Sequence, residues 1–196
     1  MKKRKASVER VTSEVKVKVD INLDGKGSFN IETGIPFFDH MLAQLARHGY
    51  FDLKVSAIGD LEVDFHHTVE DVGLALGEAF LKALGDKKSI TRFGEAFVPF
   101  DDTLAFASVD LSGRPYLVYR AKVPKSKVGE FDLELGEEFF KSFSNTLMCN
   151  LHIELKYGDN LHHMIEAIFK AVGRALDKAS AVDKRSADVP STKGKL

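Results

Sequence analysis

The chain has 196 residues, 44% of them hydrophobic and 29% charged, which supports a packed core and argues against intrinsic disorder. Lys and Arg number 28 against 29 Asp and Glu, a formal net charge of -1, so no global field recruits nucleic acid or an anionic membrane, and any anion site has to be a local cluster. The one cysteine, Cys149, excludes an intramolecular disulfide and a cysteine-cluster zinc site. With no apolar run near the ~18 residues of a membrane span, and no apolar stretch behind Met1-Lys2-Lys3-Arg4-Lys5, the chain reads as a soluble cytoplasmic globular protein.

Val15, Val17, Val19, Ile21 and Leu23 alternate with polar residues, and this period of two predicts one half-buried strand over 11–23. Asp24-Gly25-Lys26-Gly27 is a turn into a short returning strand, 28–32. Pro36 opens a helix with Phe37, Phe38, Met41, Leu42 and Leu45 at helical spacing, and Gly49 ends it. A strand over 51–58 precedes a helix over 66–84 that Gly85 stops. Strands are predicted over 93–100, 104–111 and 116–123, separated by Asp101-Asp102 and by Ser112-Gly113-Arg114-Pro115. A helix over 135–147 carries Phe139-Phe140, a strand over 151–155 follows, and a long helix runs over 162–179. The polar remainder, 182–196, has the composition of a frayed terminus.

The halves match each other. His66-His67-Thr68-Val69-Glu70 stands eleven positions before Gly77, and His162-His163-Met164-Ile165-Glu166 eleven before Gly173. Each histidine pair follows a strand and a Gly-Asp, and each half has a Phe-Phe on an upstream helix. Shared order, at a spacing of 96 to 99 residues for the Gly-Asp and His-His-x-x-Glu steps and 102 for the Phe-Phe pairs, points to duplication, hence an α+β fold of two similar β-sheet/helix halves packed together. The expected units are 1–87, 88–182 and a tail, 183–196.

The histidines number seven, and the two His-His-x-x-Glu motifs hold four of them. On a helix, the first His and the Glu are four apart and the second His and the Glu three apart, both on one face, whereas adjacent histidines diverge by ~100°. Each motif therefore offers a same-face His and Glu plus a His aimed elsewhere, and two motifs brought together in an oligomer would make two metal sites. Imidazole with carboxylate suits Mn, Fe or Zn. The plainer reading, polar caps at helix starts, fits one pair better than a duplicated pair with matched Glu. Asp71 is the candidate for orienting a histidine. His40 sits in the first turn of its helix, His48 at its end beside the C-terminal dipole, and His152 in a strand as a core or supporting residue. Arg92, Arg114, Lys170 and Lys193 are the cationic candidates for an anion site: Arg114 in a turn that can present a guanidinium fork, and Lys193 in Pro190-Ser191-Thr192-Lys193-Gly194, which can wrap a phosphate.

Taken together, these motifs resemble the imidazoleglycerol-phosphate dehydratases, over nearly the whole chain. The resemblance runs from Glu9-Arg10-Val11-Thr12-Ser13-Glu14 through Phe-Phe-Asp-His-Met, His-His-Thr-Val-Glu-Asp, Asp-Leu-Ser-Gly-Arg-Pro and His-His-Met-Ile-Glu to Pro-Ser-Thr-Lys-Gly. It implies a ribosomal protein S5 domain 2-like duplicated fold and a 24-subunit homo-oligomer. Active sites between subunits would each hold two Mn ions. It also implies His40, His66, His67, Glu70, His162, His163 and Glu166 as metal ligands. A further ligand histidine of that family falls on Glu138 here: either the carboxylate ligates Mn in its place, or that metal has fewer protein ligands and water completes its shell. Arg92, Arg114, Lys170, Ser191 and Lys193 would hold the phosphate, with His48 and Glu14 at the substrate. Glu14, His40, His67, Glu70 and His163 would be the catalytic set.

The implied reaction removes a hydroxyl from the carbon bearing the substrate imidazole and a proton from the next carbon. It passes through an imidazolate and a diazafulvene-like intermediate to imidazole acetol phosphate, in histidine biosynthesis. A di-metal phosphoester hydrolase would use similar ligands but more carboxylates. A non-catalytic metal-binding protein, or a nucleic-acid module lacking its basic aromatic stripe, fits less well.

Overall fold

The computed structural model describes residues 4–196. Its first strand, β1 (Lys5–Val11), pairs antiparallel with β2 (Val15–Asn22). The alternation over 11–23 had predicted a single strand, but the chain reverses at Thr12–Glu14. The Thr12 N–H donates to the Val15 carbonyl at 2.9 Å, while its hydroxyl accepts from the Val15 and Glu14 N–H groups. β1 escaped the pattern because Val8 is its only fully buried residue.

The expected returning strand exists as β3 (Phe29–Glu32), yet it does not return along β2. It pairs parallel with β4 (Asp52–Gly59), giving the order β1-β2-β4-β3. Asp52 redirects the loop: its Oδ1 accepts from the N–H groups of Lys26 and Ser28, and those bonds together with Asn22 lower its pKa.

Helices α1 (Pro36–His48) and α2 (His66–Leu84) complete the first half. The second half has β5 (Phe93–Phe100), β6 (Thr103–Asp110), β7 (Tyr116–Arg120), a small β8–β9 hairpin (Lys127–Val128, Phe131–Asp132), α3 (Leu135–Leu147), β10 (Asn150–Tyr157) and α4 (Leu161–Ser180). Its sheet order is β5-β6-β10-β7, with β7 parallel to β10, so the strand topology repeats that of the first half. The expected strand over 116–123 stops at Arg120.

The halves share one core because their helices pair across them. α1 packs on α4 and α2 on α3, while α2 also covers β1 and β2, and α4 covers β5 and β6. Glycines set these approaches. A Cβ at Gly77 would lie 2.4 Å from the Phe143 carbonyl of α3, and one at Gly173 would lie 2.6 Å from the Leu45 carbonyl of α1. Phe139 fills the centre, with ring centroids 5.4 Å from Phe38 and 5.3 Å from Phe169. β2 and β6 bury alternate residues against the helices, as period two requires.

The tail is tied down along part of its length. The N–H of Ser89 donates to the Asp188 carbonyl and that of Asp183 to the Ser89 carbonyl, while just before the tail the Thr91 N–H donates to the Ala181 carbonyl. Composition could not show this, since the bonds are main-chain. No described helix is long and apolar enough to cross a membrane.

Candidate metal centre and anion pocket

The packing of α1 on α4 brings His40 to the start of α4. His40 Nε2 and His162 Nε2 each lie 2.9 Å from Glu166 Oε2, and the three ligand atoms fall within 4.8 Å of one another. Lys170, one turn further on, holds the other oxygen, Nζ to Oε1 at 2.6 Å. Burial opposes ionisation of Glu166, but Lys170, His40 and His162 outweigh it and bring its pKa down to about 2. A carboxylate and two imidazoles that converge in this way fit a divalent ion of borderline hardness.

His163 diverges from His162, as the helical angle predicts, and its Nδ1 lies 2.6 Å from Asp102 Oδ1. Asp102 stands in the β5–β6 turn. Its Oδ2 accepts from the N–H groups of Asp159 and Asn160, and Asn160 in turn caps α4 through the N–H groups of His162 and His163. His163 and these backbone bonds hold the Asp102 carboxyl well below the usual range. With Nδ1 so engaged, His163 Nε2 is the nitrogen left for a ligand.

At α2 the arrangement is partly repeated. His67 Nδ1 lies 3.0 Å from Asp60 Oδ2, which raises the His67 pKa, and 3.8 Å from exposed Glu14 in the β1–β2 turn. His66 is exposed and Glu70 half-buried. Glu138 turns to Lys141, Oε1 to Nζ at 3.1 Å. Among the described residues, His66, Glu70 and Glu138 do not gather as His40, His162 and Glu166 do.

Asp71, the sequence candidate for orienting a histidine, is instead held by Arg10 Nε at 2.8 Å, with the Thr12 hydroxyl at 3.4 Å. Asp60 and Asp102 take that position. In the sequence both look like ordinary turn residues, although each histidine pair has such an acid in a nearby strand-end turn. His152 is exposed on β10 rather than in the core. His48 is half-buried at the end of α1, its pKa lowered first by burial and then by Lys170 and Arg174.

A separate surface pocket is lined by Arg92, Arg114, Pro190, Ser191, Lys193 and Lys195. Asp110 holds Arg92 through Nε at 2.7 Å, and Arg92 Nη1 donates to the Pro190 carbonyl at 2.8 Å, which ties the tail to the pocket. Four of the five predicted phosphate residues thus meet on one chain. Lys170 stands apart, with the histidine cluster and over the Phe100 ring.

A family model described as imidazoleglycerol-phosphate dehydratase matches residues 33–176. The enzyme of that name from Pelobacter propionicus is 58% identical over 98% of this chain and 99% of its own length. That from Caldanaerobacter subterraneus is 58% identical over 98% of this chain and all of its own. The crystal structure of imidazoleglycerol-phosphate dehydratase from Staphylococcus aureus aligns with a TM-score of 0.82 at 40% identity, covering 91% of this chain and 99% of that one. The structure of the Pyrococcus furiosus IGPD in complex with (S)-C348 also aligns at 0.82, with 36% identity over 96% of this chain. Agreement on this scale, over the full length and in the fold, makes the chain a member of the imidazoleglycerol-phosphate dehydratase family.

Proposed function

We propose that the chain dehydrates D-erythro-imidazole glycerol phosphate to imidazole acetol phosphate with two Mn ions per active site, in cytoplasmic homo-oligomers, 24-mers by the resemblance, whose sites lie between subunits. Dehydration of imidazoleglycerol phosphate in histidine biosynthesis is the family's activity. The observation that carries the finer reading is the convergence of His40, His162 and Glu166.

The duplication supports a second ligand set. Phe143 meets Gly77 as Leu45 meets Gly173. Counting back equally along each helix matches Glu138 to His40, His66 to His162 and Glu70 to Glu166. Glu138, His66 and Glu70 are therefore the counterpart triad, with a carboxylate where the first has an imidazole. His67 and His163, their Nδ1 atoms taken by Asp60 and Asp102, offer Nε2 to a metal that a neighbouring copy holds.

Bound Mn would supply Lewis acidity, favouring the imidazolate form of the substrate ring, whose electrons expel the hydroxyl. Glu14, exposed and 3.8 Å from His67 Nδ1, would move the proton at the neighbouring carbon of the resulting diazafulvene-like species. Arg92, Arg114, Ser191 and Lys193, with the tail forming one wall, hold the phosphate monoester and so orient the reacting carbons. Lys170 and His48 join from the histidine side, where a second copy completes the site.

Chelator-treated protein reloaded with Mn and given imidazole glycerol phosphate should yield an enolisable ketone without releasing phosphate. Release of inorganic phosphate instead would favour a di-metal hydrolase, and full activity with full metal content in both His67→Ala and His163→Ala would remove those residues from the ligand set.

A further inference from the structure

Beneath the anion pocket lies a cation for which the dehydration chemistry has no task. Lys87 is 5% exposed, and its Nζ donates to the Leu111 carbonyl at 3.2 Å. Burial lowers its pKa, while Cys149 and Asp110 oppose the fall. Its backbone is left-handed, φ +57°, as are those of Ser89 at +58° and Arg92 at +73°. Half of the six non-glycine residues with positive φ among those described therefore fall within one six-residue segment. Strain of this kind persists only where the surroundings over-determine it.

This segment is bonded to each piece of chain that lines the pocket. It contains Arg92. Through Ser89 and the Arg92 guanidinium it holds the tail that carries Ser191 and Lys193. Through Lys87 and the Arg92 carbonyl it braces Leu111, which begins the turn that presents Arg114. The far side of that turn is fixed by Asn150 Nδ2, which donates to the Arg114 carbonyl at 2.8 Å, and by the Ser112 hydroxyl, which accepts from the Arg114 N–H. Without the ammonium, the Leu111 carbonyl would lose its Lys87 partner, and the bond from the Leu111 N–H to the Arg92 carbonyl would be the tie left between this segment and the turn. Charge acts in the same direction: Asp110 neutralises one of the two cations Arg92 and Lys87, leaving a net positive charge under the pocket.

We propose that Lys87 is a positioning residue of the anion pocket, its ammonium clamping the Leu111 carbonyl so that Arg114 meets a phosphate monoester together with Arg92 and Lys193. The proposal rests on reading this pocket as the phosphate site.

The experiment compares wild type, Lys87→Met and Arg114→Ala, each metal-loaded and assembled, for the Kd of inorganic phosphate, the KM of imidazole glycerol phosphate and the affinity for dephosphorylated imidazole glycerol. In Lys87→Met, the phosphate Kd and the substrate KM should rise about tenfold, a loss of about 1.4 kcal/mol, while the dephosphorylated ligand binds within about twofold of wild type. A merely structural lysine would weaken both ligands alike, and that result, or an unchanged phosphate Kd, overturns the proposal. If Lys87→Met does not fold, Lys87→Gln, which removes the charge and shortens the reach, takes its place with the same expectation. Unchanged phosphate affinity in Arg114→Ala would instead overturn the reading of the pocket itself.

Discussion

Replacing Glu166 by Gln should destabilise the metal-free protein by about 3 kcal/mol at pH 7. The Glu166 side chain is 7% exposed, yet it is ionised against Lys170 on one oxygen and His40 and His162 on the other. Burial alone would raise its pKa, but these partners bring it from an ordinary 4.5 to about 2. At 1.36 kcal/mol for each tenfold change in acid constant, this corresponds to about 3 kcal/mol. Removing one partner of a buried ion pair typically costs ~3–5 kcal/mol, which agrees. Because the folded value lies below the unfolded one, the stabilisation is full above about pH 4.5 and disappears as the pH falls through about 2. Urea unfolding of chelator-treated wild type and Glu166→Gln, at one protein concentration so that assembly contributes equally, should therefore show a gap of about 3 kcal/mol at pH 7. The gap should shrink to less than about half of that by pH 3. A gap below about 0.5 kcal/mol at pH 7, or one unchanged at pH 3, would refute the reasoning, since an exposed or unpaired carboxylate contributes no more than that.

Asp102→Asn removes the charged acceptor at His163 Nδ1 and should weaken Mn binding by about 10–100-fold, read from a Mn titration by electron paramagnetic resonance. Unchanged affinity would mean that His163 needs no orienting partner. Gly77→Ala places a methyl 2.4 Å from the Phe143 carbonyl and 2.9 Å from the Leu147 nitrogen, main-chain atoms that move only with α3. The overpacking, about 1–3 kcal/mol, should exceed the ~1 kcal/mol helix-propensity gain of alanine. A higher melting temperature in this variant would contradict the close approach of α2 and α3.

Period-two and period-3.6 patterns located the four helices and most of the strands because those elements bury one face each. β1 and β3 show the limit. β1 buries too little to alternate, and β3 follows a turn signal that suits a hairpin, but the Asp52 carboxylate sends it to the other side of β4. Of the site, the His-His-x-x-Glu spacing already implied that one histidine of each pair shares a face with the Glu while the other points elsewhere; the structure makes His162 the partner of Glu166 and turns His163 to Asp102. The spacing could not reveal Asp60 and Asp102, because carboxylates in strand-end turns look like ordinary turn residues until the helix they face is in place. Nor could it reveal Lys87, since a lysine in Gly-Asp-Lys-Lys reads as surface charge, and only the packed turn above it makes it a buried donor.

The repeat, the motif chemistry and the charge balance were properties of the sequence alone, because periodicity and residue type are local. Which helix meets which was decided by the tertiary structure. Gly77 and Gly173 let each half's second helix sit against the other half's first, so His40, 122 positions before His162, joins its cluster. For the same reason the cations separate: Arg92, Arg114 and Lys193 are gathered by a turn and a tail, and Lys170 is carried off by the face of α4 on which it stands. Contacts of this range depend on how faces dock, and docking is set by shape across the whole core rather than by any one stretch of chain.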